Sequence, residues 1–161
     1  YQRRVRGVQM SANAEPFFPK QGGELGKGDF ICMSDKKRPC KIVEYSISKT
    51  GKHGHAKASV TAVDIFDGRK YEDSFPTSHN VECPRIFTEN HQMTSYDESH
   101  IQYMTEDGDA GEIGIPEYPE NYGKQLCEAF DQACKDGVTV TITCQTSMNQ
   151  SQVMSHRTDK N

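Results

Sequence analysis

Hydrophobic and polar residues alternate by twos along much of this chain, in short runs separated by turn-forming residues. Between residues 29 and 75 the runs "DFICM", "CKIVEYSIS", "HAKASVTAVDIF" and "RKYEDSF" are rich in β-branched and aromatic side chains. Val43, Tyr45 and Ile47 fall on one face of the second run, and Val63 and Ile65 on one face of the third. Asp67-Gly68 stands between Phe66 and Arg69, and a two-residue primed turn needs the positive φ that this pair supplies cheaply, so a tight hairpin is predicted there. Four or five strands at this spacing predict a small barrel. Pro76 and the polar "TSHN" end the section, and "ECPRIF" reads as a connection into a new one.

The second half repeats the theme with one interruption. "RIFTENHQMTSY" and "HIQYMT" predict further short strands. In "PENYGKQLCEAFDQACKDG" the period changes: Tyr122, Leu126, Phe130 and Ala133 recur at helical spacing, and Gly137 sits where a helix C-terminal cap belongs. "VTVTITC" returns to alternation, with Val138, Val140, Ile142 and Cys144 set against threonines. A five-strand barrel interrupted by one helix is the pattern of an OB-fold. The tail after Cys144 has little to bury and is predicted to fray. At the other end, residues 11–27 are rich in Gly, Pro and polar side chains and read as a flexible lead-in, with residues 1–9 as an upstream remnant. The expected organisation is thus a flexible segment over 1–27, a first barrel over 28–84 and a second over 85–161.

Composition narrows the function classes. No run of eighteen apolar residues occurs, so no membrane-spanning helix and no membrane partner are expected. Six cysteines are scattered without a C-x-x-C pair, which argues against a zinc ribbon or a disulfide scaffold and for reduced thiols in a cytoplasmic protein. "GGELGKG" has too few residues between its glycines for a phosphate loop, and Lys27 is followed by glycine where serine or threonine is needed. Charge is uneven: eleven acidic residues against two lysines over 97–136 give that stretch -9, leaving +5 for the remainder of a chain whose total is -4. The asymmetry predicts two domains with different surfaces.

One stretch does not fit a neutral loop. "SKTGKHGHAK", residues 48–57, holds three lysines, two histidines and two glycines with no carboxylate. It joins two predicted strands, so it forms a hairpin tip, with Lys52 at the apex between Gly51 and Gly54. Exposed tips commonly collect Gly and Lys. Here Lys49, Lys52 and Lys57 with His53 and His55 concentrate a positive potential suited to phosphate. His53, His55 and His79 lack the cysteine or carboxylate companions of a zinc site, and no metal is expected. Cys40 opens an apolar strand and reads as a buried thiol, not a nucleophile, and Cys127 and Cys134 read as helix core. The acidic run "TEDGDAGE" reads as a solvated loop.

"RPCKIVEYSISKTGKHGHAK", "VDIFDGRKYED" and "PTSHN" resemble the eukaryotic translation initiation factor 5A family, with bacterial elongation factor P as a more distant relative. The resemblance implies a mainly β fold, an N-terminal SH3-like barrel followed by a C-terminal OB-fold barrel with one helix. It implies that Lys52 accepts a spermidine-derived extension and becomes hypusine, and that Lys49, Thr50, Gly51, His53, Gly54, His55 and Lys57 form the loop facing tRNA and ribosomal RNA. The implied partners are the ribosome, peptidyl-tRNA, deoxyhypusine synthase and, for completion of the modification, deoxyhypusine hydroxylase. A weak homodimer is left open. No bound cofactor and no catalytic residue are expected, because the factor would assist peptide bond formation at stalled sites, such as consecutive prolines, and termination. Two alternatives stand beside this: a general RNA-binding OB-fold protein, and a structural assembly protein on the same scaffold.

Overall fold

The computed structural model describes residues 15–49 and 55–160, which fall into two compact units, one spanning Glu15–Arg85 and the other beginning at Ile86. In the first unit the strands are β1 (Phe17–Gln21), β2 (Phe30–Met33), β3 (Arg38–Lys49), β4 (Ala56–Asp64), β5 (Lys70–Pro76) and β6 (Asn80–Pro84), with a single 3-10 turn at Gly22–Glu24. β2, β3, β4 and β5 form one antiparallel sheet in that order, and β1 pairs with β6. The two sheets close an SH3-like barrel over Ile31, Cys40, Ile42, Val60 and Cys83, each no more than 2% exposed.

Three local readings of the sequence are corrected. Residues 1–14 of the predicted flexible lead-in lie outside the described residues, and within the rest Phe17–Gln21 forms β1, because Phe18 packs against the barrel core and the rings of Phe17 and Phe18 lie beneath Lys37 and Arg85. Alternation along β3 does not run straight through, since Ile42 faces Ala62 and Glu44 faces Thr61, leaving Val43 as the extra residue of a bulge. Tyr45 therefore follows Ile42 on the inner face, although they are three positions apart in sequence. The Asp67-Gly68 turn is also longer than two residues. Asp64 and Arg69 are its last hydrogen-bonded pair, so Ile65 and Phe66 belong to the loop, both buried, and Gly68 supplies the positive φ of 77°.

That loop is organised by Asp64, whose side chain is fully buried. Its Oδ1 accepts the backbone N–H groups of Phe66 at 2.8 Å and Asp67 at 3.2 Å, while Oδ2 accepts Arg38 Nε at 2.6 Å. Asp64 faces Cys40 across the ladder, so the carboxylate joins the root of β3 to the β4–β5 loop.

In the second unit β7 (Phe87–Tyr96), β8 (His100–Met104), β9 (Ala110–Gly114), β10 (Thr139–Ser147) and β11 (Gln150–Asp159) form a sheet in the order β11-β10-β7-β8-β9. The edge strands β9 and β11 curl to within 8 Å of each other, and the one helix, α1 (Tyr122–Asp136), lies in sequence between β9 and β10. This is an OB-fold barrel. Leu126 and Ala133 are buried, with Tyr122 and Phe130 packed beside them. Gly137, at φ 68°, ends the helix, and the N–H groups of Gly137 and Val138 both point to the Ala133 carbonyl. Two expectations fail here. The tail does not fray, because residues 150–159 pair with β10 with one bulge at Met154 and Val153 is fully buried, so one buried apolar side chain and a ladder of backbone bonds suffice. Part of the acidic run also forms β9, where Ile113 is buried and Gly111 leaves room for the Tyr103 ring.

Removing the Asp64 carboxylate leaves Arg38 without its closest charge partner and two loop N–H groups without acceptors. Asp64→Ala is expected to destabilise the first unit by about 3–5 kcal/mol. Urea unfolding followed on the methyl resonances of Ile42 and Val60 measures it, with Ile142 of the second unit as the unaffected reference.

Candidate functional site

The positively charged stretch lies at the end of the β3–β4 hairpin. The last pairs of the ladder are Ile47 with Ala58, Ser48 with Lys57 and Lys49 with Ala56. β2 pairs with β3 only as far as Lys41, and β5 pairs with β4 only as far as Lys57. From Lys41 outwards this β3–β4 ribbon has β5 alone beside it, and at its described end the Lys49–Ala56 pair lies beyond both neighbours. Ile47 is 53% exposed at this end, because the inward-facing position falls where there is no longer a core to cover it.

Lys49, His55 and Lys57 are all exposed and lie within this end of the ribbon. Side chains alternate between faces, so Lys49 shares a face with Ala56, and Lys57 shares the opposite face with Ser48. The cations thus surround the ribbon instead of forming a flat patch. On the face of Lys57, the cross-strand row behind it is Ser46, Ser59 and Ser74, and the next is Glu44, Thr61 and Glu72. The carboxylates stand four residues back from Lys57, about 13 Å along the strand. The tip is therefore cationic and separated from the acids by a neutral serine row. Thr50, Gly51, Lys52, His53 and Gly54 lie outside the described residues.

Sequence reasoning missed the residues that hold the ribbon. Tyr45 Oη donates to the Gly22 carbonyl at 2.7 Å, across 23 residues of chain. The N–H groups of Gly22 and Gly23 donate to the carbonyls of His79 and Thr77, and Thr77 N–H donates to the Ala56 carbonyl at 3.0 Å. Gly22 must be small, since a Cβ there would sit 2.4 Å from the Phe75 ring. Gly22 and Gly23, which open the stretch that fails as a phosphate loop, are thus packing residues behind the hairpin. The only sequence signal was their incompatibility with a nucleotide motif.

Other candidate chemistry receives no supporting geometry. Among the described residues, no group of three or more His, Cys, Asp or Glu side chains gathers where it could hold a metal ion. Cys40 is fully buried, and burial, with Asp64 nearby, pushes its thiol up to about 12. Cys144 rises to about 12 for the same first reason, with Glu89 adding to it. Such thiols stay protonated and are poor nucleophiles at neutral pH. The helix cysteines divide: Cys127 is partly buried, whereas Cys134 is exposed, which corrects the reading of both as core.

Residues 16–79 match a family model described as translation initiation factor 5A-like, N-terminal. Eukaryotic translation initiation factor 5A-1 of Schizosaccharomyces pombe is 38% identical over 147 residues, covering 91% of this chain and 88% of that one. The chain belongs to the eukaryotic translation initiation factor 5A family. Eukaryotic translation initiation factor 5A of Spodoptera frugiperda is 42% identical over 135 residues, covering 83% of this chain and 82% of that one. Among solved structures, a family protein from Naegleria fowleri superposes with a TM-score of 0.78 at 35% identity, covering 89% of this chain and 99% of that one. The family protein from Methanococcus jannaschii gives 0.68 at 28% identity, covering 88% and 96%. Family membership accordingly extends over both barrels, including the second, where the sequence motifs are sparse.

The division among the thiols can be read out directly. With the folded chain at pH 8, Cys134 is expected to react first with a disulfide-exchange reagent, and Cys40 and Cys144 only on unfolding. Peptide mapping of a labelling time course checks the order.

Proposed function

We propose that this chain is a translation factor whose working group is Lys52 in its hypusine form. The observation that supports the reading is that Lys49, His55 and Lys57, the described cations of "SKTGKHGHAK", stand at the end of the β3–β4 ribbon on both of its faces, with the acids set back. Transfer of the aminobutyl group of spermidine to Lys52 Nζ by deoxyhypusine synthase breaks the bond to spermidine's secondary amine, releases 1,3-diaminopropane and yields a long, thin side chain with two basic nitrogens, which deoxyhypusine hydroxylase then hydroxylates with dioxygen and a two-electron reductant. Such a chain enters an RNA-lined channel that a protein domain cannot. Its nitrogens meet phosphates and sugar hydroxyls at the acceptor end of the peptidyl-tRNA, a recognition of backbone and shape instead of base sequence. Lys49, His55 and Lys57 supply the surrounding positive potential.

The proposed action is positional. Holding the acceptor end in a reactive pose reduces the entropic part of the barrier to a reaction that the ribosome performs, so the factor needs no active site of its own. Stalled peptide bond formation at consecutive prolines, and termination, are the steps where such help matters most. A general RNA binder acting through the OB-fold barrel would need basic and aromatic residues on that barrel. The stretch of charge -9 over residues 97–136 argues against it.

In the native organism Lys52 is expected to carry the spermidine-derived extension, with Lys49 and Lys57 unmodified. Fragment mass spectra of the tip peptide decide this, and a modification found at Lys49 or Lys57 would overturn the assignment.

Lys52→Arg is expected to abolish relief of stalling while leaving the fold intact, because arginine keeps a unit charge but cannot accept the aminobutyl group. Peptide bond formation through three proline codons on purified ribosomes, with modified wild type beside the variant, measures it. Equal stimulation would favour a general electrostatic binder, for which the number of neutralised phosphates matters more than the identity of the cation.

A further inference from the structure

A two-stranded ribbon is marginal by itself in water, and strands so paired twist freely relative to the sheet they leave. Past Lys41 β3 has no strand on its outer side, β5 flanks β4 as far as Lys57, and the ribbon becomes two-stranded beyond Lys57, at the Lys49–Ala56 pair. Something outside the sheet must therefore fix its direction if Lys52 is to meet a partner in one pose. Three sets of bonds converge at its base. From β3, Tyr45 Oη donates to the Gly22 carbonyl at 2.7 Å. From the 3-10 turn, the Gly22 N–H donates to the His79 carbonyl and the Gly23 N–H to the Thr77 carbonyl, both at 2.9 Å. From the segment after β5, the Thr77 N–H donates to the Ala56 carbonyl on β4 at 3.0 Å. The bonds form a bracket that runs from one arm of the ribbon, through the N-terminal turn and residues 77–79, to the other arm.

We infer that Tyr45 is a positioning residue for the modification of Lys52, acting through this bracket to set the pose in which the ribbon is offered to the modifying enzyme. The role rests on the reading of Lys52 as the acceptor. Tyr45 suits it because its ring is partly buried against the barrel core while its hydroxyl makes a side-chain link from β3 to the turn. The turn cannot drift away from the ribbon base unnoticed: Gly22 lies so close to Phe75 that even a Cβ would collide, and Phe75 faces Ala58 on β4. The bracket lowers the cost of ordering the arms when an enzyme closes around the tip. An unbracketed tip must lose that freedom at the moment of binding. Loss of the bracket should then appear as weaker ground-state binding of the protein substrate, with the chemical step unchanged.

The test uses the full chain with Tyr45→Phe, which keeps the ring and removes only the hydroxyl. Gly22→Ala is a second variant that forces the turn off Phe75. Amide hydrogen exchange at residues 46–49 and 56–58 is expected to speed up about threefold to tenfold, the loss of one ordinary hydrogen bond. Exchange at Ile31 and Ala62 in the barrel should not change. With deoxyhypusine synthase, labelled spermidine and NAD, KM for either variant is expected to rise about threefold or more while kcat is retained. Uniform acceleration of exchange through the barrel would show a merely structural role and overturn the inference, as would an unchanged KM with labelled wild type. Wild type that takes up no label at Lys52 would instead overturn the functional reading, and the positioning role with it.

Discussion

A carboxylate without access to water is tolerated only when donors surround it, and the first barrel is built around such a group. Asp64 meets Arg38 and two loop N–H groups, and Arg38 Nη2 also lies 3.6 Å from Asp67 Oδ2. The pair fixes where β3 begins relative to where β4 ends. Every later pairing in the hairpin is counted from that root, out to Lys49 and Ala56. A slip at the root would carry through to the last described pairs, so a buried ion pair at one end of the hairpin governs where the exposed Lys49 and Lys57 stand at the other. The value of such a pair lies in specifying register more than in net stability.

The two barrels divide the electrostatic work. The second carries most of the acid, with Asp97 held below the ordinary carboxylate range by N–H groups of Ser99 and His100, and Asp159 lowered chiefly by the Thr141 hydroxyl. The first carries the cationic ribbon. A polyanion would be attracted to the ribbon of the first barrel and repelled by the acid-rich stretch of the second.

Most strands were legible because their alternation is strong, and α1 because its period shifts and Gly137 marks its end. The elements that escaped reading have little apolar content of their own. β11 buries Val153 amid Gln, Ser, His and Arg, and β9 buries Ile113 between glycines and acids. β1 contains Pro19 and lies next to a glycine-rich turn, so its composition resembles a loop, yet its two phenylalanines are held by the barrel and by Lys37 and Arg85. The Val43 bulge left no signal, because a bulge is set by which strand lies opposite. At the candidate site the tip motif was plain in the sequence. The bracket was not, since it depends on residues 23 apart in the case of Tyr45 and Gly22, and local pattern carries no information about such a pair.

The bulge also bears on how this chain can change length. Val43 already uses the one odd residue that β3 can absorb while keeping Cys40, Ile42 and Tyr45 inside. A single codon gained or lost between positions 44 and 49 would turn Tyr45 or Lys49 to the wrong side, and two such changes would be needed to restore the phase. Insertions can instead accumulate at the β10–β11 turn, where Met148 and Asn149 already adopt positive φ and no inward pattern has to be preserved beyond them except at Val153. The reading frame of β3 is thus under a parity rule that the β10–β11 turn escapes.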